Sequence, residues 1–330
     1  MPAQETSPAP SATDEAAALV ASVQELHRFA ILLLADAPDD PLWVDRLRAL
    51  AQRLDALRLQ SPDGLFYLLI HGAARTLDRY SSHHALVCTA VVAECAMHLG
   101  WPEPEQRSLA LAALSMNLSI TALQDELVYR ERTPTLDQRM AIDRHSARSV
   151  EMLSALGVAD TLWLDVVGQH HAPPVPPAAD GDEPPAPLGS LDPAMRLARL
   201  LQRIDVFTAR MSPRKARKGL PPMQAMREAC LGSQGTADDI GVALTRALGI
   251  YPPGSFVQMV NGETAVVLKR GSRASQPLVA SVLGADRQPL AAPVLRRTAD
   301  PGEQVKGPSR NDESRLRLDH VQLLTQAASF

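Results

Sequence analysis

Ala85-Leu86-Val87-Cys88-Thr89-Ala90-Val91-Val92-Ala93-Glu94-Cys95-Ala96-Met97-His98-Leu99-Gly100 is the stretch that decides the fold. It is a helical run of apolar residues carrying one charge, Glu94, and it ends at a glycine, where helices commonly stop. Outward from it, the helical pattern holds from Ser82 to Gly249. Glu105–Leu114 and Leu136–Leu156 come next, the second ending at Gly157. Thr161–Gln169 leads into His170-His171, and Pro193–Thr208, Pro222–Cys230 and Ala237–Leu248 follow. Between them, Ala172–Pro187 is packed with prolines and reads as an extended loop.

Upstream, residues 1–13 read as a disordered leader rich in Pro, Ser and Ala. Leu19, Val23, Leu26, Ala30 and Leu33 then recur at steps of four and three, as do Trp43, Leu47, Leu50, Leu54 and Leu57 after Asp40-Pro41. A third helix starts at Ser61-Pro62-Asp63 and runs toward Arg79. Each stripe lasts about two heptads, short of the three or four heptads a coiled coil needs. The reading favours an intramolecular bundle and leaves a homodimer, or a protein partner on these helices, open.

Downstream of Tyr251-Pro252-Pro253-Gly254 the period changes. Phe256–Val260 and Thr264–Leu268 are β-rich runs joined by Asn261-Gly262, a strong hairpin signal, and Leu278–Leu283 is a third strand. The fold class is mainly α, with a small C-terminal β appendage. The expected division is leader 1–13, N-terminal helical region 14–79, helical domain 80–250, β appendage 251–300 and polar tail 301–330, the tail carrying an amphipathic stretch at Arg315–Ala327.

Composition sets bounds on function. With 330 residues, 45% of them hydrophobic, the chain can build a large core. A net charge of −4 gives no general attraction to nucleic acid or to an anionic membrane. The greasiest segments, Phe29–Leu34 and Ala85–Leu99, are too short to span a bilayer. Cys88, Cys95 and Cys230 lack metal-knuckle spacing, and the first two read as buried thiols. A cytoplasmic protein is expected.

Nine histidines are scattered along the chain. His27, His71, His83, His98 and His320 read as ordinary structural or surface residues. His84, His145, His170 and His171, with Asp205 from an apolar helix, are a set suited to a divalent transition metal such as Fe, Mn or Zn. From spacing alone these five read first as ordinary capping or surface residues, since dispersed ligands carry little specificity.

The order of the motifs says more. Tyr80-Ser81-Ser82-His83-His84 resembles the opening of an HD-GYP domain. Ala112-Ala113-Leu114-Ser115-Met116-Asn117-Leu118-Ser119-Ile120 stands where that family has Ala-Ala-Leu-Leu-His-Asp-Ile-Gly-Lys. His145 and His170-His171 fall at its later histidines. Asp205-Val206-Phe207-Thr208-Ala209 is similar to its Asp-Val-Tyr-Asp-Ala helix, and Arg214-Lys215-Ala216-Arg217 to its Arg-Pro-Tyr-Arg. Leu248-Gly249-Ile250-Tyr251-Pro252-Pro253-Gly254, Asn261-Gly262-Glu263 and Val266-Val267 match its characteristic end. The resemblance runs from about Leu77 to Val294.

That resemblance implies a helical bundle around paired metal ions, hydrolysing cyclic di-GMP. One ion would use His84 and Asp205, a second His145, His170 and His171, with the His-Asp pair joining them. Arg214 and Arg217 would hold substrate phosphates. Here the pair is Met116-Asn117. A thioether replaces an imidazole, and a neutral amide replaces the carboxylate that would offset the repulsion of two dications. Ile120 replaces the lysine, and Ala172-Pro173-Pro174 follows His171 where the family has glutamate. Asp180-Gly181 stands as a remnant of its Asp-Gly step. The expectation is a degenerate HD-GYP-like protein, regulatory or scaffolding in cyclic di-GMP signalling, with little or no hydrolysis and one residual Fe, Mn or Zn ion. The alternative is an active metal-dependent phosphodiesterase with an atypical site.

Overall fold

The computed structural model describes residues 10–35, 40–75, 77–172, 187–231, 235–309 and 316–330. Nearly all of the proline-rich loop, with Asp180-Gly181, and most of the leader lie outside them. The helices are α1 (Ala12–Ala35), α2 (Trp43–Gln60), α3 (Pro62–Ala73), α4 (Tyr80–His98), α5 (Glu103–Ser115), α6 (Thr121–Leu127), α7 (Leu136–Ala155), α8 (Thr161–Gln169), α9 (Pro193–Met211), α10 (Pro222–Cys230) and α11 (Asp239–Leu248). Strands β1 (Phe256–Met259), β2 (Thr264–Lys269), β3 (Leu278–Leu283), β4 (Pro289–Arg297) and β5 (Val305–Pro308) follow, then α12 (His320–Ala328).

Helix α4 is buried from Tyr80 to Ala96. A helix with so little polar surface is stable only inside a core, and α1, α2, α3, α5, α9 and α11 pack around it. The apolar stripes of α1 and α2 face this centre: Leu26, Ala30, Leu33, Leu47, Leu50 and Leu54 share one hydrophobic cluster with α4 and α9. The Trp43 indole donates to the Leu33 carbonyl at 2.8 Å and fixes the α1–α2 corner. The stripes are therefore satisfied within the chain. Helix α1, at 24 residues, is long and apolar enough by length and composition to cross a membrane; in this fold it packs on the core and carries Glu25 and Arg28.

Helix α3 does not run on to Arg79 as the sequence suggests. It stops at Ala73, and Arg79 adopts a left-handed conformation (φ 53°) immediately before α4. Helix α6 had no clear period, having no buried residue of its own. The sheet has the order β4-β3-β2-β1-β5, all pairs antiparallel, and Asn261-Gly262 turns β1 into β2 with Gly262 at φ 88°.

Two strands escaped the sequence reading for one reason. Both are edges, where proline and glycine are tolerated because one side of the ladder is unpaired: β4 holds Pro289 and Pro293, β5 holds Gly307 and Pro308. The residues read as a polar tail thus supply β5 and α12. Helix α12 closes one face of the sheet, with Leu323, Leu324 and Ala327 against Val266, Leu268 and Ala280. Gly254, at φ 88°, lets the chain enter the sheet hard against α3; a Cβ there would stand 2.6 Å from the Tyr67 carbonyl oxygen.

The α3–α12 seam holds a pH-sensitive group. The Arg75 guanidinium donates to His71 Nε2 at 2.9 Å and to the Leu316 carbonyl at 2.5 Å, while the Tyr67 hydroxyl meets His320 Nδ1 at 2.8 Å. Burial, then the neighbouring His320 and Arg75, push the His71 pKa from 6.5 down to about 3. Burial and Arg75 lower His320 as well. The unfolded chain therefore binds these protons first, so the stability they confer is whole above pH 6.5 and lost as pH falls toward 3. His71 alone should contribute about 1.4 kcal/mol per pH unit across that window. Urea unfolding at stepped pH checks this; a slope in His71→Gln equal to that of the wild type would contradict it.

Candidate metal centre

The chemistry-bearing side chains sit where helix ends and one helix face converge. Thr135 and Gln138 form a capping box that starts α7 and sets the turns carrying His145. Asp160 caps α8, whose other end delivers His170 and His171. His84 and Cys88 lie four residues apart on α4, hence on one face, and Asp205 comes from α9 opposite them.

Two groups result: His145, His170 and His171, and His84, Cys88 and Asp205. Within each, the ligand atoms lie within 4.8 Å of one another. In the first group His145 Nδ1 donates to the Ile142 carbonyl at 2.5 Å and His170 Nδ1 to the Val167 carbonyl at 2.7 Å. Those bonds place the proton of each neutral ring on Nδ1 and leave Nε2 with a bare lone pair. The two Nε2 atoms face each other at 3.1 Å. Burial lowers both pKa values, that of His170 to about 3, so neither ring is charged at neutral pH. Two opposed lone pairs repel unless a cation lies between them, and both nitrogens can reach one ion at the usual distance of about 2.0–2.1 Å. Backbone carbonyls fixing the tautomer are the usual support of a metal-bound histidine. The donor set fits a transition metal.

In the second group His84 Nε2 lies 2.7 Å from Asp205 Oδ1 and 3.5 Å from Cys88 Sγ, while its Nδ1 is 3.3 Å from the Tyr80 hydroxyl. Burial opposes charge on His84, but Cys88, Tyr80 and Asp205 outweigh it and raise its pKa well above the ordinary value. For Asp205, burial is opposed by His84, His170 and His171, and the carboxyl stays ionised with a lowered pKa. Its Oδ2 lies 4.0 Å from His171 Nε2, so the carboxylate has one oxygen toward each group.

Met116 is buried in the apolar core at the end of α5, and Ile120 is buried in the turn that follows. Asn117 is half-buried, and its backbone carbonyl closes that turn by accepting from Ile120 at 2.9 Å. Ser119 fixes the turn to α7, donating to the His145 carbonyl at 2.9 Å. The Arg214 guanidinium stands 6.0 Å from the centre of the Tyr80 ring with its Nε buried and unpartnered, and Arg217 donates to the Ala209 carbonyl at 2.8 Å. Burial and the adjacent cations Arg214 and Arg210 lower the Arg217 pKa, as expected of crowded like charges.

All five residues expected to bind metal therefore lie in these two groups, and Arg214 is tied to the second through Tyr80. The sequence reading missed Cys88, although its spacing of four from His84 was a usable signal; an apolar helix made it look like any small buried thiol. Of the histidines set aside, His27 packs edge-on against His83, whose Nε2 donates to the Leu69 carbonyl. That is a structural role.

No family model matches the chain. Over 224 residues it is 27% identical to the cyclic di-GMP phosphodiesterase PA4108 of Pseudomonas aeruginosa, covering 68% of this chain and 52% of that protein. Its fold is shared with Bd1817, an HD-GYP-type protein of Bdellovibrio bacteriovorus: TM-score 0.51, 14% identity, 74% of each chain covered. The fold is that of an HD-GYP-type protein. The chain spans about half the length of the curated relative it matches.

Proposed function

We propose that this HD-GYP-like protein acts in cyclic di-GMP signalling by binding the dinucleotide at a metal-bearing centre, with little or no hydrolysis. The observation that carries the reading is the opposed, carbonyl-tautomerised pair His145–His170, to whose helix Ser119 ties the turn that follows the neutral Met116 and Asn117. The histidines supply a place for one ion. The turn supplies no second anion to hold a neighbouring ion against Coulomb repulsion. A bound ion would act as a Lewis acid toward a phosphate oxygen. The protein's own part is to hold neutral imidazoles in place, to keep Asp205 ionised, and to offer Arg214 and Arg217 to phosphate. Identity to a named cyclic di-GMP phosphodiesterase supports the choice of ligand.

Calorimetric titration of the metal-loaded protein with cyclic di-GMP should show binding. The Arg214→Ala and Arg217→Ala variants should weaken it about tenfold each, as for charged hydrogen bonds to phosphate. Absence of binding to the intact protein would reject the reading. A second reading, a slow phosphodiesterase on an atypical centre, is favoured by Asp205 alone, whose two oxygens address both groups.

A further inference from the structure

Cys88 lies outside the metal set that the family resemblance implies, yet it is fully buried with its sulfur 3.5 Å from His84 Nε2. Asp205 Oδ1 reaches the same nitrogen at 2.7 Å. A thiol activated by a histidine relay needs the sulfur on one ring nitrogen and the carboxylate on the other. Here sulfur and carboxylate converge on one nitrogen, and the other faces Tyr80. Three donor atoms addressing a single point describe a shared ion.

We propose that Cys88 binds metal as a thiolate with His84 and Asp205, giving a site that selects zinc or a similarly soft dication over manganese or magnesium. The inference rests on the metal-binding reading above. Charge supports it. One imidazole, one thiolate and one carboxylate sum to two negative charges, which match a dication in a buried place; the three histidines of the other group supply none. Softness supports it too, because thiolate favours zinc-like ions and discriminates against oxygen-seeking ones. Tyr80 can serve the bound state, since its hydroxyl can accept from His84 Nδ1 as well as donate to it, leaving Nε2 free for the ion. The protons that Cys88 and His84 Nε2 carry in the metal-free state leave to solvent as the ion binds.

Cobalt(II) titration of metal-free protein tests this by absorbance, without reference to activity. The expected result is a sulfur-to-cobalt charge-transfer band in the near ultraviolet alongside visible d–d bands. Cys88→Ser and Cys88→Ala should lose the near-ultraviolet band, and zinc affinity should fall about tenfold or more while manganese affinity changes less. In His145→Ala the band should persist. Cobalt uptake without the band, or a band that survives both Cys88 substitutions, would remove Cys88 from the centre and leave the binding reading standing. No uptake at all would remove both.

Discussion

Glu94→Ala is expected to lower the free energy of unfolding by about 3–5 kcal/mol, the cost of stranding a buried partner charge. Glu94 is 3% exposed in the middle of α4. Its Oε2 accepts from Arg58 of α2 at 2.7 Å and its Oε1 from Arg270, just after β2, at 2.8 Å. Arg58 is itself 4% exposed, and Arg270 also binds Asp63 of α3 at 2.5 Å. One carboxylate thus joins the N-terminal helices, the central helix and the sheet. With it gone, the anionic partner left to Arg58 among the described residues is Asp55, half of which is open to water. Urea unfolding of the two proteins reads the difference. A loss under about 1 kcal/mol, the value of an exposed pair, would show that the network is solvated and does not join these parts.

The second large effect concerns the metal. Adding zinc at about a hundredfold over its dissociation constant should stabilise the wild-type protein by about 2.7 kcal/mol, because only the folded state assembles the ligands. His170→Ala should lose the contribution of the histidine group, as it removes one of two opposed Nε2 atoms and leaves His145 alone. Comparing each protein with and without chelator cancels the cost of the small void left by the ring. Equal zinc-dependent stabilisation in wild type and variant would show that the opposed pair is not a ligand pair.

Much of the fold was legible because periodicity reports burial. The stripes of α1 and α2, the apolar run of α4 and the Asn261-Gly262 turn each satisfy a local rule, and the structure obeys each one. What escaped was set by partners distant in sequence. Strands β4 and β5 become strands only because β3 and β1 offer an edge. Helix α12 was read as an amphipathic stretch at Arg315–Ala327, but the face it packs on is left by the sheet and α1. The same holds at the centre. His145, His170, His171, His84 and Asp205 could be named from their order, whereas Cys88 was hidden by an apolar context that looks identical for a ligand and for filler. The tautomers of His145 and His170, which carry the argument for a metal, depend on the Ile142 and Val167 carbonyls and are invisible to spacing.

The most direct test is the fate of cyclic di-GMP incubated with protein reconstituted in turn with zinc, iron and manganese. The account predicts that the dinucleotide is retained and recovered intact in every case. Multiple-turnover cleavage that vanishes in His145→Ala would contradict it, for it would mean that a neutral Asn117 does not prevent a working phosphodiesterase centre.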